Sequence, residues 1–190
     1  MAIEEKIVYG LDNIHVAKYD EATNTYATPV ALEYAKACEV SYESNTTTFY
    51  GDNAPKYQIN TMQPGEGTLT VGALSIAEKC LLSGAEHVGG YVQSSESKQP
   101  RFALLFRRNL ASGGYIYNVV YDCKFQLGNM TSTTIEDSVE ETVLEIPFTS
   151  IEKEIDGKKT AYYEVSTTDT EANADVVSGF FTEVQVPKKK

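Results

Sequence analysis

Tyr115-Ile116-Tyr117-Asn118-Val119-Val120-Tyr121-Asp122-Cys123-Lys124-Phe125-Gln126-Leu127 is the stretch from which the rest of the chain can be read. Tyr115, Tyr117, Val119, Tyr121, Cys123, Phe125 and Leu127 recur every second position, while Asn118, Asp122, Lys124 and Gln126 take the alternate positions with Ile116 and Val120. A period of two is the signature of a strand with one face buried, so a long strand is expected here. Upstream, Arg101–Arg108 repeats the pattern with Phe102, Leu104 and Phe106, and the loop Asn109-Leu110-Ala111-Ser112-Gly113-Gly114 joins the two as a hairpin. Residues that alternate on one face pack together. The expected core is therefore Phe102, Leu104, Phe106, Tyr117, Val119 and Phe125, covered by Ile76 and Leu81 of a helix.

Working outward, the same pattern predicts strands over 14–19, 31–42, 68–74, 141–154, 161–166 and 176–186. Asp156-Gly157 is a turn signal, with Lys158-Lys159 lengthening the loop beyond two residues. One helix is predicted over 75–84. Ser75 and Glu78 make a capping box, Gly84 sits at the left-handed stop, and Ile76, Ala77, Cys80, Leu81 and Leu82 supply an apolar stripe. Two segments break the alternation. Ser44–Gly67 is polar, rich in Asn, Thr, Tyr, Gly and Pro, and longer than most connections, so it is expected to be a long extended loop. Thr167–Asp175 is acidic and reads as a solvated loop. The fold class is mainly β: one domain over 1–190, a β-sandwich or barrel-like architecture with a short flanking helix.

Sixteen basic against 27 acidic residues leave a net charge of -11, which argues against static binding to nucleic acid or anionic lipid. The one basic cluster, Lys188–Lys190, reads as a solvated tail. The start of the chain lacks a secretory pattern, and no stretch is long and apolar enough to span a bilayer. Cys38, Cys80 and Cys123 are odd in number, widely spaced and without a CxxC, which fits reduced thiols in a cytoplasm.

Catalytic signatures are missing from the pattern. His15 and His87, the two histidines, stand outside any zinc motif, and Gly65-Glu66-Gly67-Thr68 opens a strand and not a phosphate-binding helix. Glu136, Asp137, Glu140, Glu141 and Glu145 lie close together, but without Trp or an aromatic platform they read as a charged outward face and not as a glycosidase pair. No cofactor or metal site is expected. Asn45-Thr46-Thr47 and Asn129-Met130-Thr131 match the glycosylation sequon, which has no meaning without a secretory signal.

The order of elements carries a resemblance. Ile14-His15-Val16-Ala17-Lys18-Tyr19 and Tyr26-Ala27-Thr28-Pro29-Val30 are followed by Cys38-Glu39-Val40-Ser41-Tyr42-Glu43-Ser44-Asn45, leading into Thr48-Phe49-Tyr50-Gly51-Asp52-Asn53-Ala54-Pro55. Then come the strand and helix at 67–84, the hairpin 100–127, the strand 142–151 and a terminal aromatic strand, Ser178-Gly179-Phe180-Phe181-Thr182-Glu183-Val184. This series resembles the major tail proteins of long-tailed bacteriophages with non-contractile tails, the subunits of the tail tube, over nearly the whole chain. Many members carry Trp in the last strand, where this chain has Phe180-Phe181.

The resemblance implies a structural virion protein and no enzyme. Copies would form hexameric rings whose sheets join into a lumen-lining barrel, and rings would stack into a conduit for genome DNA. Implied partners are further copies of the chain and the tape-measure, tail-terminator and tail-tip proteins. DNA would pass without specific binding, no membrane would be involved, and the protein would reside in host cytoplasm before joining the virion. Phe49, Tyr50 and Tyr57 are candidate inter-ring anchors within 44–67. Glu141 and Glu145, opposite the apolar positions Leu144, Ile146 and Phe148, are candidates for a negative lumen, with the tube exterior as the alternative. Three other readings stand beside this one: the tube subunit of a contractile tail or type VI system, a carbohydrate-binding or adhesion β-sandwich with Tyr-rich loops, and an enzyme whose carboxylates line a pocket.

Overall fold

The computed structural model describes residues 3–128 and 141–188. Glu136, Asp137, Glu140, the 129–131 sequon and the last two lysines lie outside the described residues.

After a 3-10 turn at Ile3–Lys6, strand β1 (Val8–Asp20) runs the length of the molecule, and β2 (Thr25–Tyr26) and β3 (Val30–Ala31) turn back along its second half. Next come β4 (Ala35–Ser41), β5 (Ser44–Gly51), β6 (Ala54–Met62), β7 (Gly65–Val71), helix α1 (Ile76–Ser83), and the small hairpin of β8 (Glu86–His87) and β9 (Tyr91–Val92). The expected hairpin is β10 (Phe102–Leu110) with β11 (Tyr115–Phe125). It is followed by β12 (Leu144–Ser150), β13 (Lys153–Ile155), β14 (Lys158–Thr160), β15 (Tyr162–Ser166) and helix α2 (Ala174–Ser178).

The strands pair antiparallel in the order β1-β10-β11-β12-β7-β4, and β4 returns against β1, so the sheet curls around a core. Every one of these strands sends side chains inward. Val16, Phe102, Leu104, Val120, Phe125, Phe148, Ile146, Leu69 and Val71 are buried there, with Cys38 and Val40 of β4 packed against them and Leu82 of α1 closing one end. Gly67 is needed at this point. A Cβ would collide with the Glu39 carbonyl and the Phe148 ring, so glycine lets the Phe148 ring approach the β7 backbone closely.

A second cluster covers the outside of β1, β10, β11 and β15, where Ala17, Leu105, Tyr117, Val119, Tyr121 and Val165 pack against Val176 and Phe180. The chain's last described turn is pinned there by the buried Tyr121 hydroxyl, which donates to the Gln185 carbonyl at 2.7 Å. One strand serves both cores because β11 changes face. Asp122 has φ 56°, an extra residue enters β11 opposite the 102–104 step, and the side chains after it swap sides. Asp tolerates the left-handed region better than most residues, and its buried carboxylate is held by the Arg101 guanidinium.

The expected single face of Tyr115–Leu127 is thereby corrected. Tyr117 and Val119 belong to the outer core, Phe125 to the inner one, and Ile76 is exposed while Leu81 packs at the inner edge. Other expectations shift as well. The 31–42 strand breaks at Tyr34, whose φ is 62°. The 141–154 strand spans only Leu144–Ser150 before β13. The Asp156-Gly157 turn closes β13 onto β14 with no further residues, since Ile155 pairs with Lys158 and both turn residues have positive φ. The 176–186 strand is absent: Asn173 accepts hydrogen bonds from the amides of Asp175 and Val176, starting α2, and Phe180-Phe181 follow in turns.

Candidate functional site

The 44–67 segment is a hairpin and not an irregular loop. β5 and β6 continue the β4-β7 pair outward, Ser44 opposite Met62 through Gly51 opposite Ala54, with Asp52 and Asn53 at φ 52° and 59° forming the reverse turn. Cross-strand pairing divides this ribbon into two faces. Thr46 donates to Asn60 at 2.7 Å and Gln58 to Thr48 at 3.2 Å, a hydrogen-bonded polar ladder. The opposite face carries Phe49 beside Tyr57, then Ile59 beside Thr47. Nothing among the described residues covers it: Phe49 is 51% exposed, Tyr57 66% and Ile59 44%. Tyr50, the third expected anchor, is 74% exposed, beyond a register shift at the ribbon tip. The ribbon's charges, Asp52 and Lys56, face each other at 3.3 Å, so it is neutral in a strongly acidic chain.

Glu145 points outward from β12, as expected, and the fold gives it company that sequence spacing hid. Leu69 and Val71 face inward on β7, so Glu66, Thr68 and Thr70 face outward; on β4, Glu39 and Ser41 do the same. Pairing sets Glu145 opposite Thr70, Glu66 opposite Thr149 and Ser41, and Glu39 opposite Thr68. The result is an uncovered Thr- and Glu-lined sheet face on which Glu39, Glu66 and Glu145 have no ion-pair partner among the described residues, with Lys124 at its margin. Neighbouring strands lie about 4.8 Å apart and alternate residues of one strand about 7 Å apart, so Glu39 and Glu66 lie about one screening length apart and Glu145 lies farther from Glu66 than that.

Glu141 differs from these three in having a partner. It precedes β12, pairs with Lys36, and accepts from Tyr34, whose ring rests on Gly72. The Lys36 ammonium and the Tyr34 hydroxyl hold its carboxyl below the usual range.

A third surface is the split in the sheet. Beyond the β11 bulge, β12 departs and β15 takes its place against Ile116–Val120, giving a four-stranded portion in the order β1-β10-β11-β15. Among the described residues, no strand pairs the outer edge of β15 or the first half of β1. Tyr121 N–H donates to the Ala161 carbonyl and Thr167 N–H to that of Tyr115, so Ala161, Tyr163, Val165 and Thr167 bond toward β11. The backbone groups of Tyr162, Glu164 and Ser166 therefore point away from the sheet. On the other side, Val8 faces outward where Ile7, Val8 and Tyr9 are all exposed, while β2 and β3 cover only the second half of β1.

No family model and no curated protein matches this chain. His15 stacks on Phe181 at 4.6 Å. Burial pushes the Cys38 thiol up to about 12 and raises that of Cys123 further, so neither is a ready nucleophile. A polar groove is lined by Tyr19, Asn24, Arg101, Asp122, Lys153 and Glu154, but its cations are engaged: Arg101 by Asp122, and Lys153 by the Tyr19 ring at 3.5 Å. Among the described residues no group of His, Cys, Asp and Glu could hold a metal ion, and no helix is long and apolar enough to cross a membrane.

Proposed function

We propose that this chain is a structural, self-assembling subunit of a tail-tube type, forming rings that stack into a conduit for DNA. The observation that carries the reading is the four-stranded portion with two open edges. Three antiparallel steps separate β1 from β15, so the two edges run in opposite directions. A cyclic rotation that sets β15 of one copy beside β1 of the next therefore pairs them antiparallel, closing a ring without unpaired edges. The exposed Ile7, Val8 and Tyr9 mark the β1 side of that seam.

The uncompensated face of Glu39, Glu66 and Glu145 suits a wall past which phosphates slide without binding wells. The β5-β6 ribbon suits a contact between rings, because a lone two-stranded hairpin is marginal in water and gains by being covered. Hexameric closure and attachment to tape-measure, terminator and tip proteins follow from the resemblance. A tube subunit of a contractile tail or type VI system would use the same edges.

Negative-stain microscopy of concentrated protein tests the reading. Rings or tubes are expected, and Glu164→Pro, which removes an outward N–H from the β15 edge, should abolish them. Protein that remains monomeric at millimolar concentration would overturn it.

A further inference from the structure

In the groove beside Arg101 and Asp122, a cation already sits on aromatic rings. Tyr19, near the end of β1, pairs with Tyr26 of β2, and their ring centroids lie 5.1 Å apart. The Lys153 ammonium is 3.5 Å from the Tyr19 ring centre and 4.9 Å from that of Tyr26, so two rings share one charge. A cation held against more than one aromatic ring is the arrangement by which proteins recognise organic ammonium ions. The Tyr19 ring is fixed from its own side of the groove. Its hydroxyl donates to Asn24 Oδ1, its backbone N–H donates to the Arg101 carbonyl at 2.7 Å, and Asn24 takes φ 58° in the turn between β1 and β2.

The side that carries the cation is less firmly tied. Lys153 starts β13, which pairs only with β14 among the described residues, so this hairpin can shift without breaking the main sheet. Glu154 and Asp156 of the same hairpin also line the groove, and neither has an ion-pair partner among the described residues. Arg101 is neutralised by Asp122, so the charges left for a ligand are carboxylates. We infer that the groove, with a volume of about 460 Å³, binds an aliphatic polyamine. One ammonium takes the place of Lys153 against Tyr19 and Tyr26, and a second is held by Glu154 and Asp156. Lys153 is then a tethered competitor that fills the cage while amine is scarce. Aromatic rings with carboxylates beside them suit an organic ammonium and not a divalent metal ion, which needs several oxygens around one point. The inference does not depend on the self-assembly reading.

The test is a spermidine titration of the full-length chain, carbon-13 labelled at Tyr and Lys and followed by NMR. In the unsubstituted chain the Lys153 side-chain signals, displaced by the Tyr19 ring current, should move to ordinary Lys positions as spermidine is added. Lys153→Ala empties the cage and should bind spermidine at least about tenfold more tightly. Adding Tyr19→Leu to that variant should cost at least about tenfold, whereas Tyr19→Phe keeps the ring and should keep the affinity. Tetramethylammonium, with a single charge, should also bind Lys153→Ala, and replacing Glu154 by Gln and Asp156 by Asn should weaken spermidine far more than tetramethylammonium. Thermal melts check that each variant is folded; if Lys153→Ala is not, Lys153→Gln replaces it, and the Lys153 displacement in the unsubstituted chain still decides. Spermidine affinity unchanged by emptying the cage overturns the inference. So does binding indifferent to Tyr19→Leu, which would be diffuse attraction to a chain of net charge -11.

Discussion

Phe125→Ala is the substitution that best tests the two-core architecture. The ring is fully buried, with its centroid 5.7 Å from that of Phe102 and 5.4 Å from that of Phe148, both tilted contacts inside the curled sheet. Truncation removes the ring and leaves a cavity that strands on several sides cannot collapse into, a loss of about 3–5 kcal/mol. That is a large share of a typical domain stability of about 5–15 kcal/mol, so the finer measurement uses Phe→Leu variants that keep the chain folded. Urea unfolding of single and double variants then gives two coupling energies. Phe125 with Phe102 should couple by about 0.5–1.5 kcal/mol, the worth of a tilted ring pair. Phe125 with Tyr117 should add within about 0.5 kcal/mol, because the Asp122 bulge sends Tyr117 to the outer core against Phe180 at 5.0 Å. A Phe125–Tyr117 coupling as large as that of Phe125 with Phe102 would refute the face switch, and a Phe125→Ala cost below about 1 kcal/mol would refute the inner core.

Asp122→Ala should destabilise the chain by on the order of 3 kcal/mol, because Arg101 loses its buried partner and a left-handed position receives a residue that resists it; chemical denaturation reads this directly. Converting Glu39, Glu66 and Glu145 to Lys changes net charge from -11 to -5, two units at each of three sites. Folding stability should move by only about 0.5 kcal/mol per site, whereas, on the proposed tube reading, assembled particles should release DNA more slowly, most of all at low salt; normal release would remove this face from the proposed conduit wall. Lys36→Met should raise the Glu141 carboxyl toward the ordinary Glu value in an NMR titration. The folded carboxyl is held low, so the pairing favours folding above the unfolded carboxyl's range and fades as pH falls through the folded one. Native protein at pH 8 should leave Cys38 and Cys123 unalkylated by iodoacetamide, with both modified in denaturant, as read by mass spectrometry.

Local chemistry was enough to read several parts of this chain before any fold was known. The α1 caps are legible because Ser75, Glu78 and Gly84 act on backbone groups within a few residues, and the β10-β11 hairpin because two runs rich in Val, Tyr, Phe and Leu flank a Gly-containing turn, although both faces of each strand are buried. The ribbon escaped for the complementary reason: neither of its faces is buried, so Thr, Asn, Gln and Tyr alternate without an apolar period and read as loop. Phe180 and Phe181 read as strand because two aromatics satisfy either element, and it is the Asn173 cap and the outer core that settle them into turns after α2. The Asp122 switch needs only one residue at positive φ, which composition does not announce, yet it decides which half of β11 meets which core. Glu145 could be picked from its own strand, but Glu39 and Glu66 became its neighbours only when β4, β7 and β12 paired, since side-chain alternation is a local property and register between distant strands is not.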